Sequence, residues 1–303
     1  MMKISPLWKQ LITERILKTT IKTPSQLQLP AQALRFGMEQ MSKVFPIQKQ
    51  VSIRKIRLAG LRCEEIKPQQ QSTQLIFHIH GGAFFLGSMN THRAFMTQIA
   101  TRTQMQVLHL DYPLSPEHPY PDALDAIWDV FHVLIDQGIQ AKDIVLSGDS
   151  CGANLALALA LKLKKQGLHQ VNALVLMSPW LDLTLTGESL RYNRVHDALL
   201  SIETLEAGTQ YYLAPEHDRS APEVSPYFDD LSGLPPCLVQ VGSKEILLSD
   251  AQRFHEKARD AGVDVRYKLY TGMWHNFQMF SWFDDAQRSL HDLAEFLHEL
   301  DQS

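Results

Sequence analysis

The chain is poor in cysteine. Cys63, Cys151 and Cys237 are its only thiols in 303 residues. An odd, widely spaced set supports neither a disulfide framework nor a zinc site. It points to a reducing, cytoplasmic setting. Long apolar runs are missing too. The longest candidate, Leu155 to Leu163, is an alanine–leucine stretch well short of the roughly 20 residues a bilayer-spanning helix needs. The opening "MMKISPLWKQLITERILKTTIK" interrupts its hydrophobic residues with charges every few positions, which does not suit a secretory signal. Charge of one sign never accumulates: 33 acidic and 29 basic residues are interspersed, for a net charge of −4 and a pI of about 6.3. That excludes an electrostatic footprint for nucleic acid or an anionic membrane. No internal repeat or low-complexity segment suggests a solenoid or a disordered tail.

What is present is ordinary globular material, 45% hydrophobic and 20% charged, long enough for a large core. The first 45 residues read as helical. Leu7, Leu11, Ile12 and Ile16 lie near one face with Trp8 beside them, and a second helical piece, Ala31 to Val44, follows Pro24 and Pro30. Two strand-like runs, "VSIRKIRL" and "LRCEEI", flank a hairpin turn at Ala59-Gly60. From Gln74 onward, strand-like runs alternate with amphipathic helical ones. The strands are "QLIFHIH", "MQVLHLDY", "DIVLSGD", "NALVLMSP", "PCLVQVG" and "VDVRYKLY". The helices are Thr91 to Arg102, Ala123 to Asp136, Cys151 to Lys165, Ser249 to Ala261 and about Asp284 to Leu300. Apolar strands separated by helices predict an α/β fold, with a mostly parallel sheet covered on both faces. Residues from about 183 to 235 break the rhythm with turns, helical pieces and several tyrosines. Together with the N-terminal helices they are expected to form a cap.

Chemistry concentrates at four places. Gly148-Asp149-Ser150-Cys151-Gly152 lies between a strand-like and a helix-like run, the setting of a nucleophile elbow. Read alone, Ser150 could equally be the cap of an ordinary loop. "FHIHGGAFFLGS" places Gly81, Gly82 and Ala83 at a strand end. Backbone N–H groups there, with that of Cys151, could hold an oxyanion. Serine is a weak nucleophile unless a base and an orienting acid support it. His275 follows the last strand in "VDVRYKLYTGMWHNF", where a base is expected. "PCLVQVGSKEILLSD" offers two acids, Glu245 at the strand end and Asp250 near the next helix. Glu245 is the better placed; Asp250 is the alternative, with a helix-capping role as its ordinary reading.

With these residues assembled, the chain resembles the bacterial hormone-sensitive-lipase-like (family IV) carboxylesterases of the α/β-hydrolase superfamily. The similarity runs from about Gln74 to Phe280 through "HGGAFFLGS", "DYPLSPEHPYPDAL", "GDSCGANLA", "SPWLDLT", "GSKEILLSD" and "GMWHNF". It implies an α/β-hydrolase fold with a helical cap: residues 1–45 as a cap segment, 46–303 as the catalytic domain, and an insertion at about 183–235. It implies a serine carboxylesterase acting on short- to medium-chain acyl esters, with Ser150 as nucleophile, Glu245 as acid, His275 as base and Gly81, Gly82, Ala83 and Cys151 around the oxyanion. A lactonase or amidase would use the same machinery, and a ligand-binding homologue would have lost it. No cofactor or metal is implied. The partner is a small-molecule ester, and the chain is a monomer or homodimer.

Three departures from the family pattern stand out: Ala83 for a third glycine, Cys151 where alanine is usual, and Asn276 where glycine is common. The larger Cys151 side chain is expected to narrow the acyl site. The substrate mouth is expected to be lined by Phe84, Phe85, Trp180 and Tyr211, with Trp8, Phe36, Met38 and Met41 from the cap. The Asp111 to Pro119 stretch is expected to be structural, with Glu117 and His118 bonding backbone groups.

Overall fold

The computed structural model describes residues 6–27, 29–69 and 73–300. At the N-terminus, α1 (Pro6–Leu17) runs into a π-helical turn, Lys18–Lys22, then α2 (Thr23–Gln26) and α3 (Ala31–Ser42). The antiparallel hairpin β1 (Val51–Leu58) and β2 (Leu61–Pro68) turns at Ala59 and Gly60, both with positive φ. The core then alternates: β3 (Leu75–Ile79), α4 (Met89–Thr103), β4 (Gln106–Leu110), α5 (Asp122–Asp136), β5 (Ile144–Asp149), α6 (Cys151–Lys165) and β6 (Ala173–Met177). After an insertion holding only α7 (Ser189–Tyr192), α8 (Ile202–Tyr212) and a 3-10 turn, the chain closes with β7 (Cys237–Gly242), α9 (Leu248–Asp260), β8 (Val265–Tyr270) and α10 (Asp284–Leu300).

The eight strands form one sheet in the order β1-β2-β4-β3-β5-β6-β7-β8. The β1–β2 and β2–β4 pairs are antiparallel and the remaining pairs parallel. Period-two alternation feeds two cores. Ile76, Val107, Val145 and Val175 pack under α4 and α10, while Phe77, Leu108, Leu146 and Leu176 pack under α5, α6 and α9. Each such side chain, fully buried, contributes about 1.5–3 kcal/mol. This is why β6 reads as an unbroken apolar run: both of its faces are covered.

The order of strands places the start of α6 at the sheet's middle, between the β3 and β6 ends. Ser88 opens α4 with a capping box, its Oγ accepting the Thr91 N–H while Thr91 Oγ1 accepts the Ser88 N–H. The N-terminal segment docks on the rest through polar contacts. Arg35 donates to the Phe85 and Ser115 carbonyls, both at 2.7 Å, and forks onto Glu117 at 3.0 and 2.8 Å. Glu117 thus bonds both its own backbone N–H and Arg35 of α3, and His118 pairs with Asp122. The face of α1 that carries Leu11, Ile12 and Ile16 points outward, each about half exposed. The Leu7 side chain and residues 1–5 lie outside the described set. Among the described residues no helix is long and apolar enough to cross a membrane.

Candidate active site

Ser150 sits on the turn from β5 to α6 with φ 55° and ψ −123°, a region that costs about 1–3 kcal/mol for a non-glycine residue. The turn is pinned on both sides: the Ser150 N–H donates to the Met177 carbonyl at 2.9 Å, and the Ser150 carbonyl accepts from Trp180 and Ala153. Such close crossing requires glycine. A Cβ on Gly148 would lie 2.3 Å from the Gly152 carbonyl oxygen, and one on Gly152 would lie 2.1 Å from that of Ile79. The turn thus presents Ser150 at the head of a helix whose free N–H groups carry partial positive charge.

His275 and Ser150 face the same pocket, about 930 Å³ with its solvent mouth included. Nδ1 of His275 meets Oε2 of Glu245 at 3.0 Å, with both residues buried. The other Glu245 oxygen accepts the Ser178 hydroxyl at 2.8 Å and the Gly242 N–H at 2.5 Å. Burial opposes a charged imidazole, but the Glu245 hydrogen bond and the carboxylates of Glu245, Asp197 and Asp149 outweigh it and hold the His275 pKa above its ordinary value. Asp250 is elsewhere. It accepts the Leu181 and Asp182 N–H groups at 2.8 and 3.0 Å and pairs with Arg253. Burial raises its pKa to about 6.

The loop after β3 carries positive φ at Gly82, Ala83 and Phe84. Gly82, Ala83 and Ser150 line the pocket, and Cys151 begins α6 beside them. Gly81 is different: its N–H donates to Oδ1 of Asp149 at 3.0 Å, so it is committed before any oxyanion arrives. Asp149 gathers four donors. Besides Gly81, His78 lies at 3.2 Å and His92 at 3.4 Å, and Asn276 Nδ2 donates at 2.6 Å. Burial opposes its charge, but His92 and His78 hold the carboxyl well below its ordinary pKa.

Several expectations about lining are corrected. Cys151 is fully buried behind the loop, where its sulfur accepts the Phe84 N–H at 3.1 Å, and burial pushes its thiol up to about 12. It does not narrow the pocket. The left-handed turn at Ala83 and Phe84 swings the following rings into the core. Phe84 stacks on Tyr212 at 3.9 Å, Phe85 packs edge-on to Tyr211, and Trp180 is wholly buried with its Nε1 donating to the Asp182 carbonyl. Trp8 and Phe36 are largely exposed on the outer side of the N-terminal helices. Met38 and Met41 do line the pocket, joined by Ile21, Phe45, Leu199, Leu200, Met279 and Phe280.

His92 and Asn276 also reach the pocket, a role not foreseen for either. His92 carries no local signal in its helix. Asn276 was visible only as a departure from glycine, and its φ of 53° explains why asparagine is tolerated there.

The comparisons with known proteins agree with this fold. Residues 76–279 match a family model described as the alpha/beta hydrolase fold. Over 301 residues, the chain is 63% identical to an esterase of Acinetobacter venetianus, covering 99% of each. It is 34% identical to an acetyl-hydrolase of Streptomyces hygroscopicus, covering 77% of this chain and 78% of that one. A crystal structure of an esterase from the bacterial hormone-sensitive lipase family superposes with a TM-score of 0.91 at 31% identity, covering 99% of both chains. The chain belongs to the α/β-hydrolase fold family and, within it, to the hormone-sensitive-lipase-like (family IV) carboxylesterases.

Proposed function

We propose that the protein is a serine carboxylesterase that hydrolyses short- to medium-chain acyl esters through Ser150, Glu245, His275 and a covalent acyl-enzyme. One observation carries this reading: the imidazole of His275, held by Glu245 at 3.0 Å, faces the same apolar pocket as a serine on a strained elbow. Nδ1–H of His275 donates to Glu245, so Nε2 is left as the basic atom. It takes the Ser150 proton as Oγ attacks the ester carbonyl. The N–H groups of Gly82, Ala83 and Cys151 then meet the developing oxyanion, each donor supplying on the order of 10²–10³ in rate. The imidazolium protonates the departing alcohol. A water activated by Nε2 afterwards releases the acid. Glu245 keeps the ring oriented and stabilises its charged form without taking its proton.

The chain-length reading rests on the lining. Met38, Met41, Leu86, Met279 and Phe280 offer an apolar wall, and the Streptomyces relative is named an acetyl-hydrolase. In this reading residues 1–45 and about 183–235 form a cap on the catalytic domain, since both contribute pocket residues. Three buried free thiols suit a reducing, cytoplasmic setting.

Ser150→Ala should fold normally and lose about 10⁴–10⁶-fold in turnover of p-nitrophenyl butyrate. A fluorophosphonate should label one serine in the native enzyme and none in the variant. Near-normal turnover by Ser150→Ala would rule the triad out. A series of p-nitrophenyl esters of rising chain length, with a lactone and an anilide beside it, should show short to medium esters as the preferred class.

A further inference from the structure

We propose that Asp197, a carboxylate of the insertion, is a positioning residue that locks the acid loop and the histidine loop together and ties both to the N-terminal segment. This rests on the triad reading above. Asp197 is fully buried. Its Oδ1 accepts the N–H groups of Leu199 and Leu200 at 3.1 and 3.2 Å and that of His275 at 3.4 Å. Its Oδ2 accepts the N–H of Ile246, the residue after Glu245, at 3.0 Å. The bonds to Leu199 and Leu200 are a local turn that any Asp or Asn could make. The other two are not local: they reach across 78 and 49 residues to the backbone of the candidate base and to the neighbour of the candidate acid.

The choice of side chain fits this job. A buried charge is costly unless fully hydrogen-bonded. Only an ionised carboxylate offers two oxygens that both accept and neither donates, which four converging N–H groups require. Asparagine would turn an N–H₂ toward one of them. The main chain at Asp197 carries the link outward. Lys22 donates to the Asp197 carbonyl and to the Arg194 carbonyl, both at 2.7 Å. Lys22 ends the π-helical turn, and its neighbour Ile21 lines the pocket. Thus one residue joins the N-terminal segment, the insertion and two pocket-lining leucines to both loops of the triad.

The charge has a second consequence. Three carboxylates face His275: Glu245 from the loop after β7, Asp197 from the insertion and Asp149 from the end of β5. All favour the imidazolium, against burial. Lys22 bonds the Asp197 carbonyl and feels the attraction of the Asp197 carboxylate, while burial lowers its own pKa. Neutralising Asp197 should therefore lower the His275 pKa, in addition to loosening its loop.

The test is the full-length enzyme with Asp197→Asn and, separately, Lys22→Met. Asp197→Asn should lower kcat for p-nitrophenyl butyrate by about 10- to 100-fold, the scale of a misplaced catalytic group, and move the acid limb of kcat/KM to lower pH. Lys22→Met, which keeps the carboxylate, should lower kcat several-fold and leave the acid limb in place. A folded Asp197→Asn enzyme with native kcat and acid limb but a lower melting temperature would overturn the proposal, because Asp197 would then be purely structural. If Asp197→Asn does not fold, Lys22→Met decides: native kcat and native rate of fluorophosphonate labelling overturn the coupling, and slower values of both support it. Failure of the triad reading itself looks different, since the native enzyme would then not be labelled at Ser150.

Discussion

The sulfur of Cys151 accepts the Phe84 N–H at 3.1 Å, a contact that alanine could not make there. Phe84 is buried, so Cys151→Ala leaves an N–H without an acceptor, at a cost of about 1 kcal/mol or more. It also loosens the loop that carries Gly82 and Ala83. Thermal denaturation should show a lower midpoint for Cys151→Ala, with kcat reduced and KM for the ester little changed. Cys151→Ser, with an oxygen acceptor, should recover part of both. His275 gives a second expectation at this scale. Its pKa lies above the ordinary 6.5, and in the proposed mechanism only the neutral ring can take the Ser150 proton. As pH falls through that raised value the base is lost, so kcat/KM should decline along an acid limb lying above pH 6.5. Glu245→Gln removes the main favourable partner of the imidazolium, and the limb should then move to lower pH. A pH–rate profile of the two enzymes checks the sign.

Among the elements, the contact between β3 and the start of α6 controls the site. Gly152 touches the Ile79 carbonyl so closely that a methyl group has no room, since backbone lies on the other side of the contact. Gly152→Ala should push α6 away from β3 and shift Ser150 relative to Gly82 and Ala83. Overpacking of this kind costs about 1–3 kcal/mol. A larger loss in kcat than the change in stability accounts for is the expected result, read from denaturant titration beside ester turnover. An Ala variant with native kinetics would mean the elbow adjusts without moving Ser150. The π-helical turn Lys18–Lys22 is the other element with a clear consequence. Within it, adjacent residues serve different partners: Ile21 faces the pocket while Lys22 meets the insertion.

For the whole molecule, the pocket is assembled from segments far apart in the chain. Ile21, Met38 and Phe45 come from the N-terminal segment, Leu199 and Leu200 from the insertion, and Met279 and Phe280 from beyond His275. Its three thiols are all buried and unpaired, and burial raises the pKa of each. Ellman's reagent should therefore find almost no reactive thiol in the native enzyme and three after denaturation, and reductants should leave activity unchanged. Rapid native labelling would contradict the burial of all three.

Much of this was legible in the sequence because it depends on local, periodic patterns. Alternating apolar runs and helices determined the sheet and its two covered faces. Glycines at fixed offsets around Ser150 determined the elbow, since only a side chain without Cβ allows that crossing. The positions of His275 and Glu245 after the last strands followed from the same order. The side-chain directions did not. Three positive φ angles at Gly82, Ala83 and Phe84 turn Phe84 and Phe85 into the core, and no spacing rule encodes that. Glu245 and Asp250 are five residues apart in the chain, and only the path into α9 decides that one meets His275 while the other holds the Leu181 turn. Asp197 and Lys22 gave no local signal at all, because their partners are backbone groups brought to them by distant segments. Local sequence determined the elements and where Ser150, Glu245 and His275 stand in them; packing between distant segments decided what each side chain touches.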